Sequence, residues 1–258
     1  MSRQRLGQHF LVKGSILERI ARAACPDGEP PERAPLVIEI GPGRGALTER
    51  LLARAERVVA IEIDPALVEV VRGKFQGEPR LSVVEADALD TDLSQWGPAA
   101  IAGNLPYYAA TPIIEKVLAL GPAIPRAVFL VQKEVAARLA ARPGSRDYGY
   151  LSVQTQLHAD VERLFDVPAS AFRPPPAVDS TVIRLLPRNR AAELEIADPV
   201  RFLRFAGLCF RQKRKTLRNN LAGAYGKEAM EGWPEAGKRA EELTLEQFAQ
   251  LYRCLVPS

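Results

Sequence analysis

Residues 36–63 read LVIEIGPGRGALTERLLARAERVVAIEI, and this stretch decides the fold. LVIEI and VVAIEI are short apolar runs rich in β-branched residues, as expected of strands buried on both faces. Between them RGALTERLLARA has helical spacing, and Gly41, Gly43 and Gly45 stand where the first strand must turn into the helix. Strand, glycine turn, helix and strand form a βαβ unit, whose two strands lie parallel. The alternation runs on through PALVEVVRGKF, LSVVEA, AIAGN, TPIIEKVLAL and AVFLVQ, which ends at Gln132. The expected core is therefore α/β, a doubly wound and mostly parallel sheet with helices on both faces.

Outward from this core, residues 14–24 predict a helix, RPGSRDYGY a loop, VPASAFRPPPAVDS a Pro-rich loop and STVIRLL a closing strand. From Asp198 the pattern is helical, with Phe202, Phe205, Cys209, Leu217, Leu221, Leu245, Phe248 and Leu251 at packing intervals. A boundary near Pro187 gives two domains, residues 1–187 and a small all-α domain of residues 188–258.

Composition narrows the function. Hydrophobic residues are 47% and charged residues 26% of the 258, the balance of a chain that buries a core. No stretch approaches the roughly 18 apolar residues of a membrane span, and the basic N-terminus lacks the apolar region of a secretory signal. A cytoplasmic protein with no membrane partner is expected. Cys25, Cys209 and Cys254 are far apart and read as reduced thiols. With His9 and His158 the only histidines, no zinc-ligand spacing exists, and no metal is expected.

Gly41, Asp64, Asp87 and Asn104 each follow or close a strand, which should gather them round one crevice at the carboxyl edge of the sheet. The glycine turn also satisfies the looser dinucleotide pattern, so a nicotinamide enzyme is one reading. Pro42 removes an N–H from the turn, which weakens a pyrophosphate cradle but matters less for a ligand without phosphate, such as S-adenosylmethionine. Glu62 has no obvious partner and suits a ribose hydroxyl pair in either reading. Asp87 is either a helix cap or an acceptor for an adenine amino group.

Gly103-Asn104-Leu105-Pro106-Tyr107-Tyr108 follows the fourth strand. Adenine N6 is a poor nucleophile because its lone pair is delocalised. If the Asn104 side-chain oxygen and the Leu105 carbonyl accept both N6 hydrogens, that lone pair is freed toward a methyl donor. Tyr107 would stack on the base for about 1 to 3 kcal/mol. The methylated cation sheds its proton to water, so no strong base is needed.

The charge distribution points to a polyanion. Arg201, Arg204, Arg211, Lys213, Arg214, Lys215 and Arg218 fall in one stretch without Asp or Glu, against a net charge of only +4 for the chain. We read this stretch as a basic helix anchored by Phe205, Cys209 and Leu217.

GQHFL at residues 7–11, IEIGPGRGALT, AIEID, EADAL, GNLPYY, PGSRDYG, FRPPPAVDS and FRQKRKTLRNNL occur in the order seen in ribosomal RNA adenine N6-dimethyltransferases. The chain resembles the bacterial small-subunit (KsgA/RsmA) branch of that family over nearly its whole length. The resemblance implies a Rossmann-like S-adenosylmethionine-dependent methyltransferase domain and an RNA-binding helical domain. It implies two methyl transfers to each of two adjacent adenines near the 3′ end of 16S rRNA, within a small-subunit assembly intermediate. It also implies cofactor contacts from His9, Leu11, Gly41, Gly43, Glu62, Asp87 and Asn104. Asn104, Leu105 and Pro106 would hold the target adenine, Tyr107 and Phe172 would sandwich it, and Arg211, Lys213, Arg214, Lys215 and Arg218 would contact RNA. A monomer is expected. The chain departs from the pattern at His9, Tyr108 and Ala177, where members often carry Asn, Asn and Lys. A large-subunit (23S) methyltransferase of the Erm resistance type and a non-catalytic ribosome assembly factor are the competing readings.

Overall fold

The computed structural model describes residues 9–26 and 33–256; Gly7 and Gln8 of the GQHFL motif lie outside them. Along the chain run β1 (Phe10–Leu11), α1 (Gly14–Ala24), β2 (Val37–Ile40), α2 (Ala46–Leu52), β3 (Val58–Glu62), α3 (Pro65–Lys74) and β4 (Leu81–Glu85). Then follow β5 (Ala100–Asn104), α4 (Ala110–Ala119), β6 (Ala127–Gln132), α5 (Lys133–Leu139), α6 (Tyr150–His158) and β7 (Ala159–Val167). Last come β8 (Phe172–Arg173), β9 (Ser180–Pro187), α7 (Arg190–Glu193), α8 (Pro199–Cys209), α9 (Leu217–Tyr225) and α10 (Leu245–Leu255).

Seven strands form one sheet in the order β4-β3-β2-β5-β6-β9-β7. Strands β4 through β6 are parallel, and β9 runs antiparallel to β6. The order reverses at β2, so the carboxyl ends of β2 and β5 flank a topological switch point, where open α/β sheets bind ligands. β2 and β3 are buried along their whole length, which is why their sequences are unbroken apolar runs save for Glu39 and Glu62. A second, two-stranded ladder pairs Phe10 with Arg173 and Leu11 with Phe172. It brings the start of the described chain to the Pro-rich loop.

Two compact units result: residues 1–136 with 162–187, and 137–161 with 188–258. The break at Pro187 falls where the sequence pattern changes, while residues 137–161 group with the helical unit although they precede the last strands of the sheet. That segment holds α6, and β7 follows it; neither stands out in the sequence as a periodic run. In the helical unit Phe202, Phe205, Phe248 and Tyr252 are buried, with Phe202 and Tyr252 meeting edge-on at 5.5 Å. Asp198 caps α8, accepting from the Arg201 N–H, with Pro199 in the first turn; Thr244 and Gln247 form a capping box on α10.

The basic stretch is not one helix. α8 ends at Cys209 and α9 starts at Leu217, so Arg211, Lys213, Arg214 and Lys215 lie on the connecting loop and Arg218 on α9. The polar run RQKRK offers no apolar residue with which to extend the buried stripe of α8, so the helix stops.

Close approach fixes one glycine of the sheet: a Cβ on Gly103 in β5 would stand 2.5 Å from the Ile40 carbonyl oxygen of β2. Gly103→Ala is expected to cost about 1–3 kcal/mol by forcing the strands apart. A urea titration should show a lower midpoint at unchanged slope, and an unaltered midpoint would mean that β2 and β5 tolerate the methyl.

Candidate active site

One crevice lies at the carboxyl ends of β2, β3 and β5. His9, Leu11, Gly41, Gly43, Glu62, Asp87 and Asn104 all line it, as do Leu105, Pro106 and Tyr107. Its floor is the turn between β2 and α2. Gly41, Gly43 and Gly45 all adopt left-handed backbone (φ 69°, 57° and 73°), and only glycine takes that conformation without strain. The sequence of the turn follows from this geometry.

Glu62 is 4% exposed, yet it is not without partners as its sequence context suggested. Its Oε2 accepts from the Gly43 N–H at 3.1 Å and its Oε1 from the Asp64 N–H at 3.1 Å. Burial pushes its carboxyl above the usual range, and the backbone N–H groups of Asp64, Gly43 and Ile63 pull against that shift. Each oxygen still has acceptor capacity. Of the other turn N–H groups, Gly41 donates to the Ile61 carbonyl at 3.0 Å and Gly45 to the Pro42 carbonyl at 2.8 Å. With Pro42 lacking an N–H, none of the positions from Gly41 to Gly43 offers a backbone donor to a phosphate.

Asp87 caps its own turn rather than a helix. Its Oδ1 accepts from the Leu89 N–H at 2.8 Å, capping the turn, while the residue lines the crevice.

Asn104 is oriented by its neighbour in space. Its Nδ2 donates to the His9 carbonyl at 3.0 Å, which fixes the amide and leaves Oδ1 as the acceptor. The same His9 stacks its ring on Tyr107, centroids 5.7 Å apart at 29°, and its Nδ1 donates to the Pro174 carbonyl at 2.9 Å. The Tyr107 hydroxyl lies 3.3 Å from the Ser180 Oγ. The short β1–β8 ladder thus positions His9, and His9 positions both Asn104 and Tyr107.

Phe172 departs from expectation. It is 1% exposed, pairs with Leu11 in the ladder, and packs in the apolar cluster with Leu17, Ile20 and Val167. It does not line the crevice. Its flanking prolines put it in a loop, but the ladder turns its ring into the core, so it offers no face to a base.

Sequence reasoning missed Glu39. It is 1% exposed at the crevice, and Thr48 Oγ1 donates to its Oε2 at 2.6 Å. Burial pushes its carboxyl up to about 7, with Thr48 pulling it down. A lone charged residue inside an apolar strand run was the signal available. Asn220 was missed too. It is buried, its Oδ1 accepts from the Gln212 N–H at 3.1 Å, and its Nδ2 donates to the carbonyls of Cys209 (2.8 Å) and Gln212 (3.2 Å). One side chain therefore pins the loop that carries the basic run.

Elsewhere the chemistry is sparse. Burial pushes the Cys25 and Cys209 thiols up to about 11 and about 12, so neither supplies a thiolate. Among the described residues no cluster of His, Cys, Asp and Glu is arranged to hold a metal, and no helix is long and apolar enough to cross a membrane.

Comparison with known proteins gives the family of the chain. A family model described as ribosomal RNA adenine dimethylase matches residues 1–256. The ribosomal RNA small subunit methyltransferase A of Acidobacterium capsulatum is 47% identical, over 97% of this chain and 90% of the relative. That of Geobacter sulfurreducens is 39% identical, over 99% of this chain and 95% of its own. A dimethyladenosine transferase from Plasmodium falciparum superposes with a TM-score of 0.81 at 27% identity, covering 94% of this chain and 96% of the other. The 23S rRNA methyltransferase ErmE gives 0.71 at 30% identity, with 95% and 99% covered.

Two outcomes follow from the site. Because the folded-state value of Glu39 is raised, its contribution to stability is full below 4.5 and is lost as pH rises to about 7. Glu39→Gln should therefore raise the thermal midpoint more at about pH 8 than at about pH 5, with up to about 3 kcal/mol at stake; equal gains at both would show that Glu39 does not titrate in that window. Phe172→Ala should cost about 3–5 kcal/mol of stability as a core truncation. Phe172→Leu should keep both fold and target affinity, and a loss of affinity at an unchanged melting midpoint would restore Phe172 to the binding face.

Proposed function

The chain belongs to the ribosomal RNA adenine dimethylase family and is an rRNA adenine dimethyltransferase; from that premise we propose that it methylates N6 of two adjacent adenines near the 3′ end of 16S rRNA, in the small subunit, with S-adenosylmethionine as donor. The observation that supports the cofactor reading is the turn at Gly41–Gly45, where the three glycine N–H groups are committed to Ile61, Glu62 and Pro42 and Pro42 itself has none. A dinucleotide needs those donors for its pyrophosphate, whereas a ligand joining adenosine to an amino acid needs only the acceptors that remain. Glu62 would take the ribose hydroxyls, Asp87 the adenine amino group, and His9, Leu11, Gly41, Gly43 and Asn104 the rest of the molecule. When bound, S-adenosylmethionine supplies an electrophilic sulfonium methyl group.

Chemistry at the target then falls to Asn104, Leu105 and Tyr107. The Asn104 Oδ1, held by the bond from its own Nδ2 to His9, accepts one N6 hydrogen, and the Leu105 carbonyl accepts the other. Both acceptors pull the amino group out of conjugation and aim its lone pair. Pro106 sets the direction of the turn, and Tyr107, backed by the His9 ring, stacks on the base. Each transfer adds a methyl to N6, and the resulting cation loses one N6 proton to water. After the first transfer one hydrogen remains, and one acceptor suffices to hold it for the second.

Higher identity to small-subunit enzymes than to ErmE supports the 16S substrate over the 23S one. The helical unit would bind RNA through Arg211, Lys213, Arg214, Lys215 and Arg218, and the protein acts as a monomer.

The test uses labelled S-adenosylmethionine with undermethylated small subunits, large subunits or free rRNA. Label should appear as N6,N6-dimethyladenosine from small subunits, and Asn104→Ala should lower kcat about 10²–10³-fold with RNA affinity retained. Label from large subunits would move the assignment to the resistance-type substrate. Binding without label would leave an assembly factor.

A further inference from the structure

The helical unit holds a groove that the residues assigned above do not account for. Arg138, Arg146, Tyr148, Phe210, Gln212 and Lys213 line it, drawn from the end of α5 and from two loops far apart in sequence. The first loop, residues 141–149, is fixed by its own backbone. The Ser145 N–H and hydroxyl donate to the Arg142 carbonyl at 3.1 and 2.7 Å, Gly144 N–H to the Glu241 carbonyl at 2.7 Å, and the Gln156 amide to the Ala141 carbonyl at 2.8 Å. The second loop, residues 210–216, is the one pinned by Asn220. Lys213 joins them, its Nζ donating to the Arg146 carbonyl at 3.4 Å, and the Tyr148 and Phe210 rings meet at 6.3 Å.

Charge distinguishes this groove from the rest of the unit. Arg188 and Arg190 pair with Asp160, and Lys238 lies within 4.0 Å of Glu235. Arg138, Arg142 and Arg146 are exposed, and among the described residues no carboxylate stands within ion-pair distance of them. Lys213 on the facing side of the groove, and Arg211 and Lys215 on the same loop, are likewise exposed with no carboxylate within ion-pair distance among the described residues. Asp147 and Glu241 also line the groove, but Glu241 lies 3.8 Å from Arg239, and the cations outnumber them. Protein surfaces normally interleave signs, so unpaired cations held on two braced loops indicate an anionic partner.

We propose that residues 138–149 form a second RNA-contacting segment, and that the groove seats the phosphodiester backbone of rRNA between Arg138 at the end of α5 and Arg146 on the loop after it, on one side, and Lys213 on the other. The proposal rests on the rRNA-substrate reading above and adds to it residues outside the basic run. Arginine guanidinium groups match phosphate oxygens in pairs, and loops braced before binding lose little freedom on contact. Such contacts position the RNA without reading its bases.

The experiment titrates full-length wild type, Arg138→Ala/Arg146→Ala and Arg211→Ala/Lys215→Ala against small subunits lacking the dimethyladenosines, across a KCl series. In both double variants affinity should fall and the log–log salt slope should shrink by about 1 per cation removed, with S-adenosylmethionine affinity and melting midpoint unchanged. Wild-type slope and affinity in Arg138→Ala/Arg146→Ala, alongside a loss in the other pair, would overturn the proposal. The substrate reading fails by a different readout, absence of methyl transfer to any rRNA; slope loss without transfer would keep the RNA surface and remove the enzyme.

Discussion

Burying the Glu62 carboxylate at the end of β3 is tolerable only because the Gly43 and Asp64 N–H groups each donate to one of its oxygens. That pair of bonds ties the turn after β2 to the turn after β3, and so sets the shape of the crevice between them. The left-handed glycines follow from it, since the Gly43 N–H reaches the carboxylate only if the chain doubles back through positive φ. The position of α2 follows as well, because Gly45 launches that helix. A Cβ at Gly45 would stand 2.6 Å from the Phe75 ring, so the same turn is also wedged against the end of α3.

Most of this was legible in the sequence because it is local. Strand-turn-helix alternation over residues 36–132 gave the parallel sheet, and the helix at Gly14–Ala24 has the bounds its pattern predicts. The residues gathered at the strand ends were foreseeable for the same reason: in a doubly wound sheet, the position after each strand is a position in the crevice. What escaped the sequence depends on contacts between distant segments. Phe172 carries the flanking prolines of an exposed loop, and only the ladder with β1 shows that its ring is core. Glu39 becomes a titrating group through complete burial beside Thr48, which a one-dimensional pattern does not register.

The basic stretch was misjudged for a related reason. Charge clustering is visible without a structure, but whether a cluster rides on a helix or a loop is decided by what the flanking residues bury. Here Cys209 and Leu217 are buried at the ends of separate helices, and Asn220 substitutes its amide for the helical bonds that the loop lacks. The result is a braced loop, a more fixed platform than a run of flexible basic side chains suggests.

The commitment of the turn's N–H groups has a consequence for life in a cell full of nucleotides. ATP shares its adenosine half with the donor proposed for this crevice, and contacts to base and ribose alone would not tell the two apart. A turn whose glycine N–H groups are already given to the Glu62 carboxylate and to the Ile61 and Pro42 carbonyls, and which lacks a donor at Pro42, offers a triphosphate fewer donors. The bonds that hold the shape of the crevice are thereby the same ones that weigh against a phosphate-bearing competitor for the donor proposed there.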